Sequence, residues 1–526
     1  MTMRPFILRD RERMDLRRAA LLLWIGALAI AVFLLAAALL YRLGLPSGPL
    51  FGVALGGIIV VVLMLGFLGR TAVTRVYFFA GRQMPPAVSG FGGGFDFGGG
   101  VFWLIFAAAS ASLKLVLAPA IVLGIFVMSG VFSRNIRSSG SATASGLLSR
   151  RYPWQGAGSV SLAIAIAGLL ALAIAEAQLG VAVIEAVFPG RADAALIGLV
   201  LLALAIGLLG GQMAHAFFGL AMAFAFMLLT AGTTIVLGIA PELLDPTIRI
   251  VPEITLDRLN VMAGPGFPEM TGSTDRLAII VVVVCGVSVL PHAASRLAVV
   301  DKPRQAMEHL GWSSLWVFVT LSSIPLSIGL LVGGGATELG RNALMHPVFV
   351  LVAWLALLIA SFAAFAMTFF SLSVHLARGV QRLLVRSPDD FSMALSRFLL
   401  VAMAGGMIWL GLPTNVAPTT LFIDALCVLA AGLFVPMVIA CTLDRVPGYA
   451  MTAACLIGVT PLLVYFLRFE PTDLRFVSMT QLWLVSVGMA AALLILLAAR
   501  ALAIRFPRLA GGQKTREPEN SAQQEV

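Results

Sequence analysis

Two runs of three glycines flank a lone carboxylate in SGFGGGFDFGGGVFW, Ser89 to Trp103. The segment opens an apolar run, where glycine weakens a helix and an acid is costly. Interrupting a membrane helix frees backbone carbonyls and amides, which are tolerated only inside protein or along a polar cavity. Freed carbonyls can hold a cation, and half-helix N-termini favour an anion. Gly92–Gly94 and Gly98–Gly100 thus supply a break, with Asp96 facing the protein interior to hold a cation or orient the break. Close helix packing through glycine is the competing reading, although it leaves Asp96 without a role. A second interruption is expected at CGVSVLPHAAS, where Pro291 removes a donor and clashes with the preceding turn.

Other polar residues in apolar runs have plainer readings. His292 either carries or senses a proton or, more simply, anchors the inner helix end near Arg296, and His215 and His375 read as anchors near cytoplasmic ends. Glu176 and Glu185 are nine residues apart, hence on opposite faces of one helix. Glu176 then lies beside a solute path or pairs with an arginine, and Glu185 meets headgroups or water. Asp424 has the position of an N-cap or first-turn acid. Cys285, Cys427, Cys441 and Cys455 lie in apolar runs without a C-x-x-C pair, which argues against a metal site or disulfide frame. No zinc-protease, nucleophile-elbow or Walker motif occurs. The glycine run fails the dinucleotide pattern, because Phe95 takes its last glycine position and no strand precedes it. These absences point away from an enzyme and from ATP-driven transport.

The elements that must position these groups are membrane helices. Of 526 residues, 60% are hydrophobic and 11% charged, with mean hydropathy +1.01. A soluble domain is about a quarter charged. The pattern predicts an all-α polytopic membrane protein of about fourteen spans, near 19–41, 49–69, 87–108, 112–133, 157–188, 194–210, 213–240, 276–297, 310–333, 346–378, 395–412, 418–441, 448–467 and 475–500. With the N-terminus in the cytoplasm, alternation places 26 of the 35 Lys and Arg on the inner side. That asymmetry explains the net charge of +10 by topology rather than nucleic-acid binding. Both termini then lie inside, with a basic segment 1–18 at the start, an extracytoplasmic loop 241–275, and a disordered tail 511–526. The spans from residues 87 and 276 are both interrupted and lie five spans apart. An odd offset gives two inverted five-helix units, the sequence pattern of a secondary-transporter core.

The segment YFFAGRQMPPAVSGFGGGFDFGGGVFWL resembles the signature of the sodium/solute symporter family, especially its acetate-permease-like branch, through Tyr77, Ala80, Gly81, Gly90, Asp96, Phe97, Phe102 and Leu104. Further segments resemble family motifs in order: Ala177 and Gln178; Gly210, Gly211, Met213 and Ala214; Leu290, Pro291, His292, Arg296, Val300, Asp301 and Ala306; and Pro436. The resemblance covers about residues 77–445. It implies a leucine-transporter-type fold, with inverted repeats at 87–240 and 276–441 and peripheral helices at 19–69 and 448–505. The chain departs from the pattern at Gly98–Gly100, where the family has small hydroxyl and alanine residues. It departs again at Ser361, which is followed by Phe362 where many members carry two adjacent hydroxyls that help bind sodium.

The implied function is symport of a small organic solute, plausibly a short monocarboxylate, coupled to Na+ or H+ in the inner membrane. Gly92, Gly93, Asp96, Gln178, Ser288 and Pro291 are the expected substrate site. Gly94, Phe97 and Ser361 are the expected remnant cation site. No cofactor beyond a bound Na+ is expected, and the partners are the solute and the bilayer, with a small membrane-protein partner left open. The alternative is a symporter-like sensor or accessory subunit that no longer moves solute.

Overall fold

The computed structural model describes residues 47–82, 84–108, 111–141, 143–152, 155–239, 273–333, 347–384, 393–413, 416–444, 446–468 and 479–506, with scattered positions between 28 and 45. Most of the expected first span, most of the 241–275 loop and both termini lie outside these residues. The described residues are helical, with no strand among them. In chain order the helices are α1 (Ser47–Leu68), α2 (Thr74–Phe79), α3 (Pro86–Gly92), α4 (Gly99–Ala108), α5 (Ala111–Val127), α6 (Ser133–Ser138), α7 (Ala144–Arg151), α8 (Gln155–Val187) and α9 (Ala192–Ile239). The second half comprises α10 (Ser273–Ser288), α11 (Pro291–Arg296), α12 (Pro303–Gly333), α13 (Pro347–Leu384), α14 (Met393–Leu410), α15 (Pro418–Leu429), α16 (Val435–Thr442), α17 (Gly448–Arg468) and α18 (Met479–Arg505). Ten described segments are long and apolar enough to cross a membrane. The protein is a multi-pass membrane protein.

Both expected interruptions are present. After α3 the chain tightens into a 3-10 turn over Gly93–Phe97 and changes direction at Gly98, whose φ of 106° is left-handed. The ring of Phe422 fills the place a Gly98 side chain would take. The second interruption lies between α10 and α11. Leu290, preceding Pro291, is extended at φ −53°, ψ 118°, and Pro291 opens the next helix. A proline disfavours the helical conformation in the residue before it and is well placed in a first turn.

As a straight rod, the 48 residues of α9 would measure about 72 Å at 1.5 Å per residue, longer than a bilayer of about 40–45 Å. The chain reverses at Gly211, with φ 53° and ψ −137°. The direction follows from neighbours on α13. Leu199 lies against Gly180 beside Ser361, and Gly207 lies against Phe370, so 192–210 run parallel to α13. His215 stacks on Phe370, Phe218 meets Phe362, and Met222 and Leu229 share a small cavity with Leu355 and Ile359. Residues 212–239 therefore run back along α13. A side chain at Gly211 would press on the Tyr77 carbonyl.

Loops that alternation assigns to one side of the membrane meet one another. Arg137 donates to the carbonyls of Val300, at 2.6 Å, and Asp301. Arg378 donates to Ser141 and Thr143 hydroxyls at 3.0 and 2.9 Å. Arg151 pairs with Asp444 at 2.7 Å, and Arg397 donates to the Thr71 carbonyl at 2.8 Å. These arginines tie the inner-assigned loops into one face. On the opposite end Phe51 packs on Phe188, and Gln481 donates to Asp424 at 2.6 Å. Asp424 is thus no N-cap: it sits within α15, which Pro418 opens, and its partner comes from α18.

Gly211→Val is expected to lower the yield of folded protein and its melting temperature in detergent, because it adds both a left-handed strain and a clash with Tyr77. Gly198→Ala, at a position with open space around it, should leave both within error.

Candidate functional site

The site begins with what the first interruption leaves unsatisfied. The opening turn of α4 has amides with no partner inside the helix. Glu176, from the middle of α8, is buried and accepts from Gly100 N at 3.2 Å and Val101 N at 3.5 Å. An acid at a helix N-terminus is favourable, more so where no water competes. Neither expected reading of Glu176 describes this: it is a helix cap supplied by another helix. Glu185, two and a half turns later, is exposed. Close approach explains the glycines of this turn. A Cβ on Gly100 would lie 2.6 Å from the Ser361 backbone, so α4 and α13 meet main chain to main chain.

The two interruptions are joined through Asp96. Its carboxylate Oδ2 lies 2.5 Å from Arg296 Nε, with the two side chains 1% and 3% exposed. The His292 ring, one turn earlier on α11, hydrogen-bonds the Asp96 carbonyl. The 3-10 turn is therefore held by one side chain on its backbone and by another on its carboxylate. His309 of α12 completes the cluster: its ring comes within 3.4 Å of where a Gly93 side chain would begin, as does Arg296. Ser313, one turn on, donates to the Gly90 carbonyl at 2.7 Å, and Trp316 covers Gly94. Phe95 meets Trp316 at 4.6 Å and Phe226 at 5.8 Å between ring centroids, forming an aromatic wall beside the charged pair.

The expected substrate residues divide between this cluster and other places. Gly92, Gly93 and Asp96 lie in it, with Gly92 packed on the backbone of Gly219 and Leu220. Pro291 opens the helix that carries His292 and Arg296. Ser288 turns its hydroxyl to the Cys285 carbonyl of its own helix, at 2.8 Å. Gln178 lies elsewhere, donating to the Pro413 carbonyl and to the Val416 carbonyl at 3.2 Å, so it holds the α14–α15 connection against α8.

Gly94, Phe97 and Ser361 are all buried, yet they have different surroundings. Gly94 lies under Trp316 on α12. Ser361 donates to Leu358 O at 3.1 Å and packs against Gly100 and Gly180. A sodium site needs several converging oxygens. The contacts of Gly94 and Ser361 bring no cluster of oxygens to either residue. The other two described histidines are anchors: His215 bonds the Gly211 and Ala366 carbonyls at 2.8 and 3.1 Å, and His375 bonds Ser371 O at 2.7 Å. The four cysteines are free, and no group of three metal-ligating side chains occurs among the described residues.

His309 is the residue of this cluster that motif reading leaves out, and Arg296 and Glu176 take partners it does not name. Charge arithmetic gives the signal for Arg296, since an intramembrane acid requires a counter-ion and Arg296 lies on the other interrupted segment. His309, Ser313 and Trp316 are spaced four and three apart, one face of a helix.

No protein-family model and no curated protein matches the chain. Among solved structures, it is similar to a Na+-coupled sialic acid symporter in a substrate-bound outward-open state, with TM-score 0.59 and 13% identity over 85% of this chain and 96% of that one. It is also similar to a variant of the Eremococcus coleocola manganese transporter, with TM-score 0.46 and 12% identity over 84% and 98% of the two chains. The first likeness shows a shared fold; the second is too distant to carry an argument.

Asp96→Asn and Arg296→Gln should each destabilise the protein by about 3–5 kcal/mol, because each leaves an uncompensated buried charge. The double variant, which leaves two neutral amides, should recover most of that loss. Chemical unfolding of all four proteins in detergent measures the coupling.

Proposed function

We propose that the protein is a secondary active transporter that moves a small organic solute by alternating access, coupled to entry of a cation, Na+ or H+. The observation that carries the reading is the meeting of two interrupted membrane helices at a buried acid–base pair, Asp96 with Arg296. Non-helical backbone at membrane depth suits a solute or ion site, and intramembrane charges mark transport paths. The fold shared with a Na+-coupled symporter is consistent with this. Under the same reading, 87–240 and 276–441 form inverted units with α3–α4 and α10–α11 in equivalent positions, and the arginine-tied face lies in the cytoplasm of an inner-membrane protein. The solute class favoured is a short monocarboxylate, as in the acetate-permease-like branch that the sequence resembles. A monocarboxylate entering with one cation moves no net charge, so the cation's concentration gradient drives uptake: a tenfold gradient supplies about 1.4 kcal/mol, enough for roughly tenfold accumulation.

A second reading has its own support. Ser361 is committed to Leu358 and Gly98–Gly100 are occupied by packing against Phe422 and α13, so the positions where a sodium site is expected serve structure here. That favours a symporter-like sensor or accessory subunit that binds a solute without moving it.

Uptake of radiolabelled small organic acids and amino acids into proteoliposomes, with inward Na+ or H+ gradients imposed separately, decides between them. Accumulation above the equilibrium level under one gradient is expected, reduced at least tenfold by Asp96→Asn at matched protein content. Solute binding without accumulation under either gradient would establish the sensor instead.

A further inference from the structure

Arg296 makes its charged contact through one edge. Its Nε faces Asp96 as an ion pair, while neither Nε nor Nη1 has a hydrogen-bond partner, and the second carboxylate oxygen of Asp96, Oδ1, also has none. The pair is therefore joined by one contact, although guanidinium and carboxylate can form two in parallel. Glycines rather than side chains face the guanidinium, at close packing distance. Gly93 presents no side chain toward it, and a Cβ on Gly219 would stand 3.3 Å from Nη2. One residue along the turn, Phe95, Trp316 and Phe226 form the aromatic wall. His292 holds the main chain of Asp96, so its carboxylate can swing without unwinding the turn further.

We propose that Arg296 is the binding residue for the carboxylate of a small monocarboxylic acid, and that Asp96 is the internal ligand it displaces and the acceptor of the coupled proton. The proposal rests on the transporter reading above and names its substrate-binding residue and its coupling ion. The incoming carboxylate takes the guanidinium edges now shared with Asp96, and its short apolar body lies against the aromatic wall. Charge then dictates the rest. The resting pair sums to zero. Adding an anion while Asp96 stays ionised leaves one uncompensated negative charge in a buried site, a cost of several kcal/mol per ion. A proton from the aqueous phase forming an O–H bond on Asp96 restores neutrality. One carboxylate and one proton enter together, no net charge crosses the membrane, and release of both returns Asp96 to Arg296.

The groups facing Asp96 are few. Arg296 and His292 come from α11 and His309 from α12, whose Nδ1 has no partner. From α9 the nearby face is Gly219, with His215 turned to backbone carbonyls. From α8, Glu176 is engaged by Gly100 and Val101. From α13, His375 stands near His292 and bonds Ser371 O, and Ser361 lies against Gly100; from α15, Phe422 lies against Gly98. Asp96 is thus the carboxylate placed to exchange at Arg296.

Calorimetry on the purified full chain in sodium-free buffers of different ionisation enthalpy tests this. The probes are acetate, propionate, pyruvate and lactate, with the corresponding amides as controls. At least one acid should bind with uptake of about one proton per carboxylate, and the amides should not bind. Asp96→Asn should bind the same acid about tenfold more tightly and without proton uptake, since the internal competitor is gone. Asp96→Asn/Arg296→Gln, which keeps a neutral pair and should fold, should lose binding at least a hundredfold. Binding by wild type without proton uptake, or full binding by the double variant, overturns the proposal. Failure of all four acids to bind, while proteoliposomes accumulate some other solute, overturns it and leaves the transporter reading standing. Proton-linked binding without accumulation keeps the exchange and removes the transport reading.

Discussion

A carboxylate and a guanidinium buried in the middle of a membrane protein cannot stand alone, and the arrangement around Asp96 follows from that constraint. An isolated charge at the bilayer centre costs about 2.5–3.5 kcal/mol on insertion scales, and stripping one partner from a buried pair costs about 3–5 kcal/mol. Domain stabilities are about 5–15 kcal/mol. The Asp96–Arg296 contact is therefore a condition on the packing of the two interrupted helices rather than an ornament on it. The 3-10 turn and α11 must approach one another, and the side chains that line their meeting must be small or apolar enough to allow it.

The surrounding contacts meet that demand in different currencies of interaction. His292 satisfies a carbonyl that the 3-10 turn releases, and Glu176 satisfies two amides at the start of α4. Glycine does the steric part. Gly98 takes a backbone conformation that side chains rarely adopt, and Gly100 brings α4 onto α13 at main-chain distance. The helix-packing and helix-breaking explanations of the glycine runs are thus both correct at different positions. The inner-assigned loops add a second constraint: arginines from α6, α7, α13 and α14 hydrogen-bond across loops distant in sequence and gather them on one face.

Much of this was legible before any coordinates. Apolar runs mark the helices because a lipid-spanning backbone must satisfy its own hydrogen bonds. Pro291 marks one interruption because its ring constrains Leu290, and the glycine runs mark the other. The two arms of α9 were legible as separate runs, since a continuous helix of that length would overshoot the bilayer. Asp424 departs from its expected N-cap or first-turn place because local position does not show its partner, Gln481, which belongs to the last helix.

The sequence by itself determined the fold class, the places where helices are interrupted, and the presence of an acid at one of them. These depend on local chemistry: hydrophobicity, backbone freedom and proline geometry act within a few residues. Only the tertiary structure decided which groups meet. It pairs Asp96 with Arg296 across 200 residues, assigns Glu176 to the amides of α4, sends Gln178 to the α14–α15 connection, and sets Ser361 against Gly100. Such pairings are set by how helices cross and rotate against one another, and no property of a residue's own neighbourhood in the chain encodes them.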